Sequence, residues 1–133
     1  LDLRVRVTGR SMAPFLLGGE VLTIRQVSAS TLKKGDIIFF RNPCGRPVAH
    51  RIVRKRGKGK RPITVQTKGD ALALLDEPVS QGEILGKVIR IEGEARVIDM
   101  EERMRRAANF VTAVAHLWQA RFFSSMRGLA RLI

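Results

Sequence analysis

The segment around Ser11 is the part of the chain whose residue types most clearly suggest chemistry. Ser11 lies in Gly9-Arg10-Ser11-Met12-Ala13-Pro14, where a strand-like segment gives way to a turn, so its hydroxyl can stand at the edge of a sheet. A serine hydroxyl attacks a carbonyl carbon only when a neighbouring base removes its proton. In such a turn the backbone N–H of Ser11 can also point at the carbonyl oxygen, which makes this N–H the predicted oxyanion donor.

Histidines and lysines are the candidate bases. His50 lies in the apolar stretch Val48-Ala49-His50-Arg51-Ile52-Val53, and an imidazole titrates near neutrality, which suits proton transfer. His116 lies on the polar side of a late helix and shares no local context with Ser11. A lysine base must be desolvated to be neutral at pH 7, and the lysines in question lie in polar or charged segments: Lys33, Lys34, Lys55 and Lys68. The sequence therefore favours a Ser11–His50 pair and leaves a serine–lysine pair as the alternative.

Two carboxylates in one loop, Asp70 and Asp76, are candidates for orienting His50. A catalytic histidine needs a carboxylate on its second ring nitrogen, which fixes the tautomer and stabilises the imidazolium. Both acids follow the predicted hairpin. Because both residues are aspartates in the same loop, the residue type alone does not indicate which of them contacts His50.

Five short motifs occur in one order at compact spacing. They are Gly9-x-Ser11-Met12-x-Pro14, Lys34-Gly35-Asp36-Ile37-Ile38, His50-Arg51-Ile52-Val53, Thr67-Lys68-Gly69-Asp70-Ala71 and Gly86-Lys87-Val88. Over about residues 5 to 91 this arrangement resembles the type I signal peptidase family. It is most similar to the endoplasmic-reticulum and archaeal branch, which has a histidine where the bacterial branch has a lysine base.

The resemblance implies roles for the matching residues. Ser11 matches the nucleophile and His50 the general base. Asp70 is the better motif match for the acid that orients the histidine, and Asp76 matches a second family acid. Because Gly9 stands where some members carry a serine donor, backbone N–H groups, chiefly that of Ser11, are the expected oxyanion donors.

The resemblance also implies the substrate and the fold. The family fold is mainly antiparallel β, shared with self-cleaving repressor peptidases, and has a shallow groove that Met12 and Pro14 are expected to border. The substrate peptide lies in the groove as an additional strand, with small residues before the cut. No metal or cofactor is implied.

Apolar and polar residues alternate over residues 1–8, and short apolar segments separated by turn residues follow, which predicts a mainly β domain over 1–98. Strands are predicted at residues 1–8, 21–27, 36–41, 48–54, 63–68, 84–91 and 95–98, with a turn or short helix at 10–19. From Glu101 to about Met126 the chain has no Gly or Pro. One helical face is formed by Met104, Ala108, Val111, Ala115, Trp118 and Phe122. Residues 99–133 are therefore predicted to hold a C-terminal amphipathic α-helix, with Arg127 near its end before Gly128.

The charge of the chain indicates an anionic partner. The 133 residues include 25 Lys and Arg against 12 Asp and Glu, a net charge of +13. We expect Arg54, Lys55 and Arg56, together with the C-terminal helix, to contact an anionic membrane surface. Nucleic acid is disfavoured because the chain has no Tyr and its aromatic residues are not interleaved with the basic loop. A single Cys excludes an internal disulfide, and one Cys with two His disfavours a zinc site.

Together these features predict a serine endopeptidase that cleaves an extended signal or leader peptide of a precursor protein after small residues. One alternative is a soluble serine–lysine peptidase related to self-cleaving repressors. The other is a degenerate module that binds peptides or membranes. We expect membrane association, either peripheral or through an anchor in an upstream segment removed before Leu1, with a cytoplasmic location as the alternative. No run of about 18 apolar residues, which an ordinary transmembrane helix requires, occurs in the sequence.

Overall fold

The chain forms two compact units, residues 1–99 and the residues from Met100 onward. The computed structural model describes residues 1–131, with side chains described up to Arg121. The first unit is an antiparallel sheet and the second is one helix. The predicted fold class, mainly β with a C-terminal helix, is therefore confirmed.

Eight strands make up the sheet of the first unit. They are β1 (Asp2–Arg6), β2 (Val21–Arg25), β3 (Ile37–Arg41), β4 (Pro47–Arg56), β5 (Thr64–Lys68), β6 (Val79–Ser80), β7 (Ile84–Glu92) and β8 (Val97–Asp99). Their order is β1-β2-β7-β3-β4-β5-β6, with β8 paired to β7. Short 3-10 helices occur at Ala29–Thr31 and Gln81–Glu83. Residues 11–15 form turns, without a helix. The two-residue strand β6 was not predicted, because it is too short to show an alternating pattern.

The core is centred on β3, which lies between β4 and β7. Ile37, Ile38, Phe39 and Phe40 are all buried, as expected for β-branched and aromatic residues in a strand flanked on both edges. Ile38 and Phe40 pack in a cluster with Ile52 of β4 and Val65 of β5. This packing holds β4 and β5 in a fixed position, and β4 carries His50.

β1 is an edge strand that pairs only with β2 among the described strands. Arg25 of β2 donates two hydrogen bonds of 2.9 Å to the carboxylate of Asp2. These bonds lower the pKa of Asp2 below its usual range. The two hydrogen bonds fasten the start of β1 to β2. The other edge of β1 has no strand partner among the described residues, so its backbone groups are available to pair with an added strand.

The second unit is α1 (Met100–Arg131), a helix of 32 residues. It extends past the predicted end at Gly128, because one glycine inside a helix costs only about 1 kcal/mol. On the predicted apolar face Met104 is partly buried, whereas Val111 and Trp118 are exposed. The side chains of Phe122 and Arg127 lie outside the described residues. Between residues 1 and 131, no helix has the length and apolar character needed to cross a bilayer.

Candidate active site

The pairing of β4 with its two neighbours brings the predicted site residues together. His50 pairs with Ile38 of β3, while Ile52 pairs with Thr67 of β5. Arg51 pairs with Lys68, so one further step of the same register places Gly69 opposite His50. The loop that follows β5 therefore begins beside the imidazole.

A continuous chain of hydrogen bonds joins Ser11, His50 and Asp76. Nε2 of His50 lies 2.9 Å from Oγ of Ser11, and Nδ1 lies 2.5 Å from Oδ2 of Asp76. Because a carboxylate only accepts hydrogen bonds, Nδ1 carries the ring proton and Nε2 is left to accept the proton of the serine hydroxyl. This arrangement can withdraw a proton from Ser11 and hold the resulting imidazolium next to a carboxylate.

Asp76 and His50 are held in place by buried neighbours. The backbone N–H of Asp76 donates to the Thr67 carbonyl at 2.8 Å, and the Thr67 hydroxyl donates to Oδ2 of Asp76 at 2.7 Å. The His50 side chain is only 8% exposed, and the ring of Phe40 meets it edge-on with centroids 6.1 Å apart. The imidazole is therefore fixed on one side by an aromatic ring and at Nδ1 by a carboxylate that is itself oriented.

Asp70 lies elsewhere in the site. The motif match favoured Asp70 as the acid on His50, but the structure brings Asp76 to the imidazole. The carboxylate of Asp70 is instead occupied by Arg51, which donates from Nε at 2.9 Å and from Nη2 at 2.7 Å. Arg51 also donates to the Gly35 carbonyl at 3.1 Å, and its guanidinium lies 4.9 Å from the centre of the Phe15 ring. The ion pair fixes the start of the loop after β5 to β4, and the contact with Phe15 links Arg51 to the turn that carries Ser11.

Backbone contacts hold the Ser11 turn against the same loop. The N–H of Ala71 donates to the Ser11 carbonyl at 2.9 Å, and the N–H of Asp70 lies 3.4 Å from Sδ of Met12. A Cβ atom on Gly69 would stand 2.6 Å from the Ser11 carbonyl oxygen and 3.1 Å from Nε2 of His50. Only glycine fits between the two groups.

Three residues of this arrangement were given no role from the sequence: Thr67, Gly69 and Arg51. All three lie within the motifs quoted above, so their positions were available in the sequence. Their contacts depend on the register of β4 against β5 and on the path of the loop. No periodic pattern in the sequence indicates the strand register or the path of the loop.

A pocket of about 410 Å³ opens beside Ser11. Its apolar side chains are those of Val5, Val7, Met12, Leu16, Leu22, Phe39, Pro47, Val48 and Ala49. Met12, predicted to border the groove, lines this pocket and is itself buried. Pro14, predicted with it, is exposed and is not among the lining residues. The N–H of Ser11, the predicted oxyanion donor, makes no hydrogen bond within the described residues.

The alternative bases do not contact the serine. Among the described side chains, no lysine hydrogen-bonds to Ser11. The Lys55 ammonium donates to the carbonyls of Ser30 and Leu32, at 2.9 and 2.8 Å. No group of three or more His, Cys, Asp or Glu side chains suited to a metal ion occurs in the described part of the chain.

Comparison with known proteins supports the family resemblance. No family model matches the chain. The chain is 38% identical over 68 residues to the signal peptidase complex catalytic subunit sec11 of Pyrenophora tritici-repentis, and equally to that of Pyrenophora teres f. teres. The similarity covers 50% of this chain and spans 38% of the length of each of these relatives. The predicted resemblance to the endoplasmic-reticulum type of type I signal peptidase is therefore confirmed for half of the chain.

Proposed function

We propose that the chain is a serine endopeptidase in which Ser11 is the nucleophile, His50 the general base and Asp76 the acid that orients His50. The hydrogen-bond chain from Ser11 Oγ through the imidazole to Asp76 carries this proposal. Both contacts are at the distance that proton transfer requires. The similarity to signal peptidase catalytic subunits supports the same chemistry.

Peptide hydrolysis at this site would proceed through an acyl-enzyme on Ser11. Oγ of Ser11 bonds to the scissile carbonyl carbon while its proton moves to Nε2 of His50, and the Ser11 N–H stabilises the oxyanion. The imidazolium, held by Asp76, then gives this proton to the departing amine as the C–N bond breaks. A water molecule next gives a proton to Nε2 while its oxygen bonds to the acyl carbon. The bond between this carbon and Oγ then breaks, the imidazolium returns the proton to Oγ, and the carboxylic acid product leaves with the Ser11 hydroxyl restored.

The substrate we propose is an extended segment of a precursor protein, such as a signal or leader peptide. The pocket is bordered by the end of β1 and by the start of β4, at Val48 and Ala49. β1 has a free outer edge, and the pairing of β4 with β5 begins only at Arg51. A peptide strand can therefore bond to exposed backbone groups while its side chains enter the pocket. We infer that the residues before the cut are small, as in an Ala-x-Ala sequence.

Substitution of the two reacting groups tests this function. On a quenched peptide with an Ala-x-Ala cut, Ser11→Ala and His50→Ala should each lower kcat by about 10³-fold or more. Ser30→Ala and His116→Ala, which change exposed residues of the same types, should have no effect. Activity that survives His50→Ala and disappears with Lys68→Ala would favour a serine–lysine peptidase. If the unmutated protein cleaves no peptide, the proposed peptidase activity fails and the alternative of a binding module is favoured.

We further propose that the protein associates with an anionic membrane surface. Arg54 and Arg56 are exposed near the tip of the β4–β5 hairpin, and Phe110 and Trp118 are exposed on α1. Peripheral membrane proteins typically bind through basic side chains, which are attracted to anionic headgroups, and through exposed aromatic side chains, which enter the interface. Lys55, expected to share this role, donates to two backbone carbonyls, so Arg54 and Arg56 are the stronger candidates.

A further inference from the structure

The loop between the two acids of the site consists of consecutive apolar residues that are exposed. Its sequence is Ala71-Leu72-Ala73-Leu74-Leu75, and we call it the leucine loop. The exposed fractions are 42% for Leu72, 81% for Leu74 and 48% for Leu75. Single exposed leucines are common on protein surfaces, but a contiguous apolar patch beside a reactive site indicates a binding surface.

Both ends of the leucine loop are fixed. Before it, Asp70 forms the bidentate pair with Arg51, and after it Asp76 bonds to His50 and Thr67. Within it, the N–H of Leu72 donates to the Gly69 carbonyl at 2.9 Å. These contacts fix the backbone that presents the leucines to solvent.

The leucine loop also contacts the backbone of Ser11, the residue that carries the proposed nucleophile. The N–H of Ala71 donates to the Ser11 carbonyl at 2.9 Å. A Cβ on Gly69 would stand 2.6 Å from the Ser11 carbonyl oxygen and 3.0 Å from Cδ1 of Leu72. One residue of extended chain spans about 3.3 Å. A polypeptide with its carbonyl carbon at Ser11 Oγ therefore reaches the leucine loop within its first few residues.

Two apolar surfaces flank Ser11. One is the pocket between β1 and the start of β4, whose lining includes Ser11 and Met12 but no residue of the leucine loop. The other is the leucine loop itself. If the residues before the cut occupy the pocket, the leucine loop is the second apolar surface beside Ser11 that is available to the residues after the cut.

We propose that the leucine loop binds the first residues after the scissile bond and selects substrates with an apolar side chain there. This inference rests on the proposed function, because it takes the pocket as the site for the residues before the cut. The hydrogen bond from the Ala71 N–H to the Ser11 carbonyl favours a peptide bound at Ser11 as the occupant. The carboxylate of Glu77, exposed just after the leucine loop, would repel anionic lipid headgroups.

Peptides that differ only after the cut test the inference. Two quenched peptides share an Ala-x-Ala cut and carry either Leu or Ser at the second position after it. The unmutated protein should show a kcat/KM about tenfold higher for the Leu peptide, from partial burial of one leucine side chain. Leu72→Ser combined with Leu74→Ser should reduce this preference to about twofold by raising KM for the Leu peptide, with the Ser peptide unaffected. Leu85→Ser, which changes a partly exposed leucine of β7, should keep the full preference.

The outcomes separate the inference from the proposed function. Cleavage of both peptides at equal rates, or a preference that survives the double substitution, overturns the inference and leaves the peptidase intact. A double variant that is slow only on vesicle-bound substrate shows that the leucine loop binds membrane, which also overturns the inference. If the unmutated protein cleaves neither peptide, the proposed function fails and the inference fails with it.

Discussion

Asp70 and Asp76 have different partners, and the partners assign them different roles. Asp76 accepts hydrogen bonds from His50 and Thr67, so its negative charge faces the ring that carries a positive charge in the proposed reaction. Asp70 accepts two hydrogen bonds from Arg51, whose charge is permanent. The first contact acts on the reacting groups, and the second fixes one segment of chain against another.

Asp76→Asn should therefore abolish most of the catalytic activity while preserving the fold. An amide can donate as well as accept, and it leaves the imidazolium without a counter-charge. We expect kcat to fall by about 10³- to 10⁴-fold. Peptide cleavage measures this fall, and urea denaturation checks that the variant remains folded.

Asp70→Asn is the matched comparison, because it makes the same change in the same loop. The Arg51–Asp70 pair is partly buried, with 26% and 22% of the side chains exposed. Its loss should lower the free energy of unfolding by about 1–3 kcal/mol, with kcat changed by less than about tenfold. A severe loss of kcat in Asp70→Asn together with near-normal turnover in Asp76→Asn would reverse the two assignments.

At the scale of elements, the site depends on how closely the loop after β5 approaches the Ser11 turn and β4. Gly69 continues the β5 register past Lys68 and lies where the three segments meet. The Ser11 turn has its own anchors in Met12, 2% exposed, and Leu16, which is fully buried. A side chain at Gly69 cannot be accommodated without moving either this turn or the imidazole.

Gly69→Ala should consequently lower kcat by about 100-fold, the cost of displacing reacting groups by about 1 Å. The added methyl group would stand 2.6 Å from a backbone oxygen, and backbone atoms do not move as easily as the end of a side chain. Steady-state cleavage of the test peptide measures the effect. Gly82→Ala is the control, because a Cβ there meets nothing within 4 Å. Equal, near-normal activity in both variants would show that the loop adjusts freely and that its close approach is not needed.

The elements were largely predictable from the sequence, but one part of the site was not. Alternation in the first strand and short apolar segments bounded by turn residues predicted strands near their observed positions. His50 could be placed on a strand because apolar residues surround it. The acid that meets His50 is set by the path of the chain from Asp70 to Asp76. That path follows from the Arg51 ion pair and the Thr67 hydroxyl rather than from any periodicity. Motif similarity identified both acids, and the contacts of the folded chain distinguish them.

At the scale of the whole molecule, β4 connects the candidate site to the basic hairpin tip. The strand runs from Pro47, beside the pocket, through His50 to Arg56. At about 3.3 Å per residue, Arg56 lies about 20 Å along the strand from His50. The net charge of +13 attracts anionic surfaces in general, but only a local group of basic residues can orient the protein on a membrane. The tip can therefore bind lipid without covering the groove.

Removal of the tip charges should weaken membrane binding and leave the chemistry unchanged. Arg54→Ser combined with Arg56→Ser should lower the affinity for vesicles containing phosphatidylserine by about 30-fold, at about 1 kcal/mol per basic residue. Added salt should reduce the difference in vesicle affinity between the variant and the unmutated protein, because screening weakens the contribution that each exposed basic side chain makes to binding. Vesicle co-sedimentation measures the affinity, and cleavage of a soluble peptide should be unaltered.

The control for this prediction removes the same amount of charge at other exposed positions. Lys34→Ser combined with Arg41→Ser lowers the net charge equally, and Arg41 pairs with Pro47, at the opposite end of β4 from Arg56. If the tip orients the protein, this variant should keep most of its vesicle affinity. Equal losses in the two double variants would mean that the lipid responds to total charge alone. In that case the exposed Trp118 of α1 becomes the next residue to substitute in the vesicle-binding measurement.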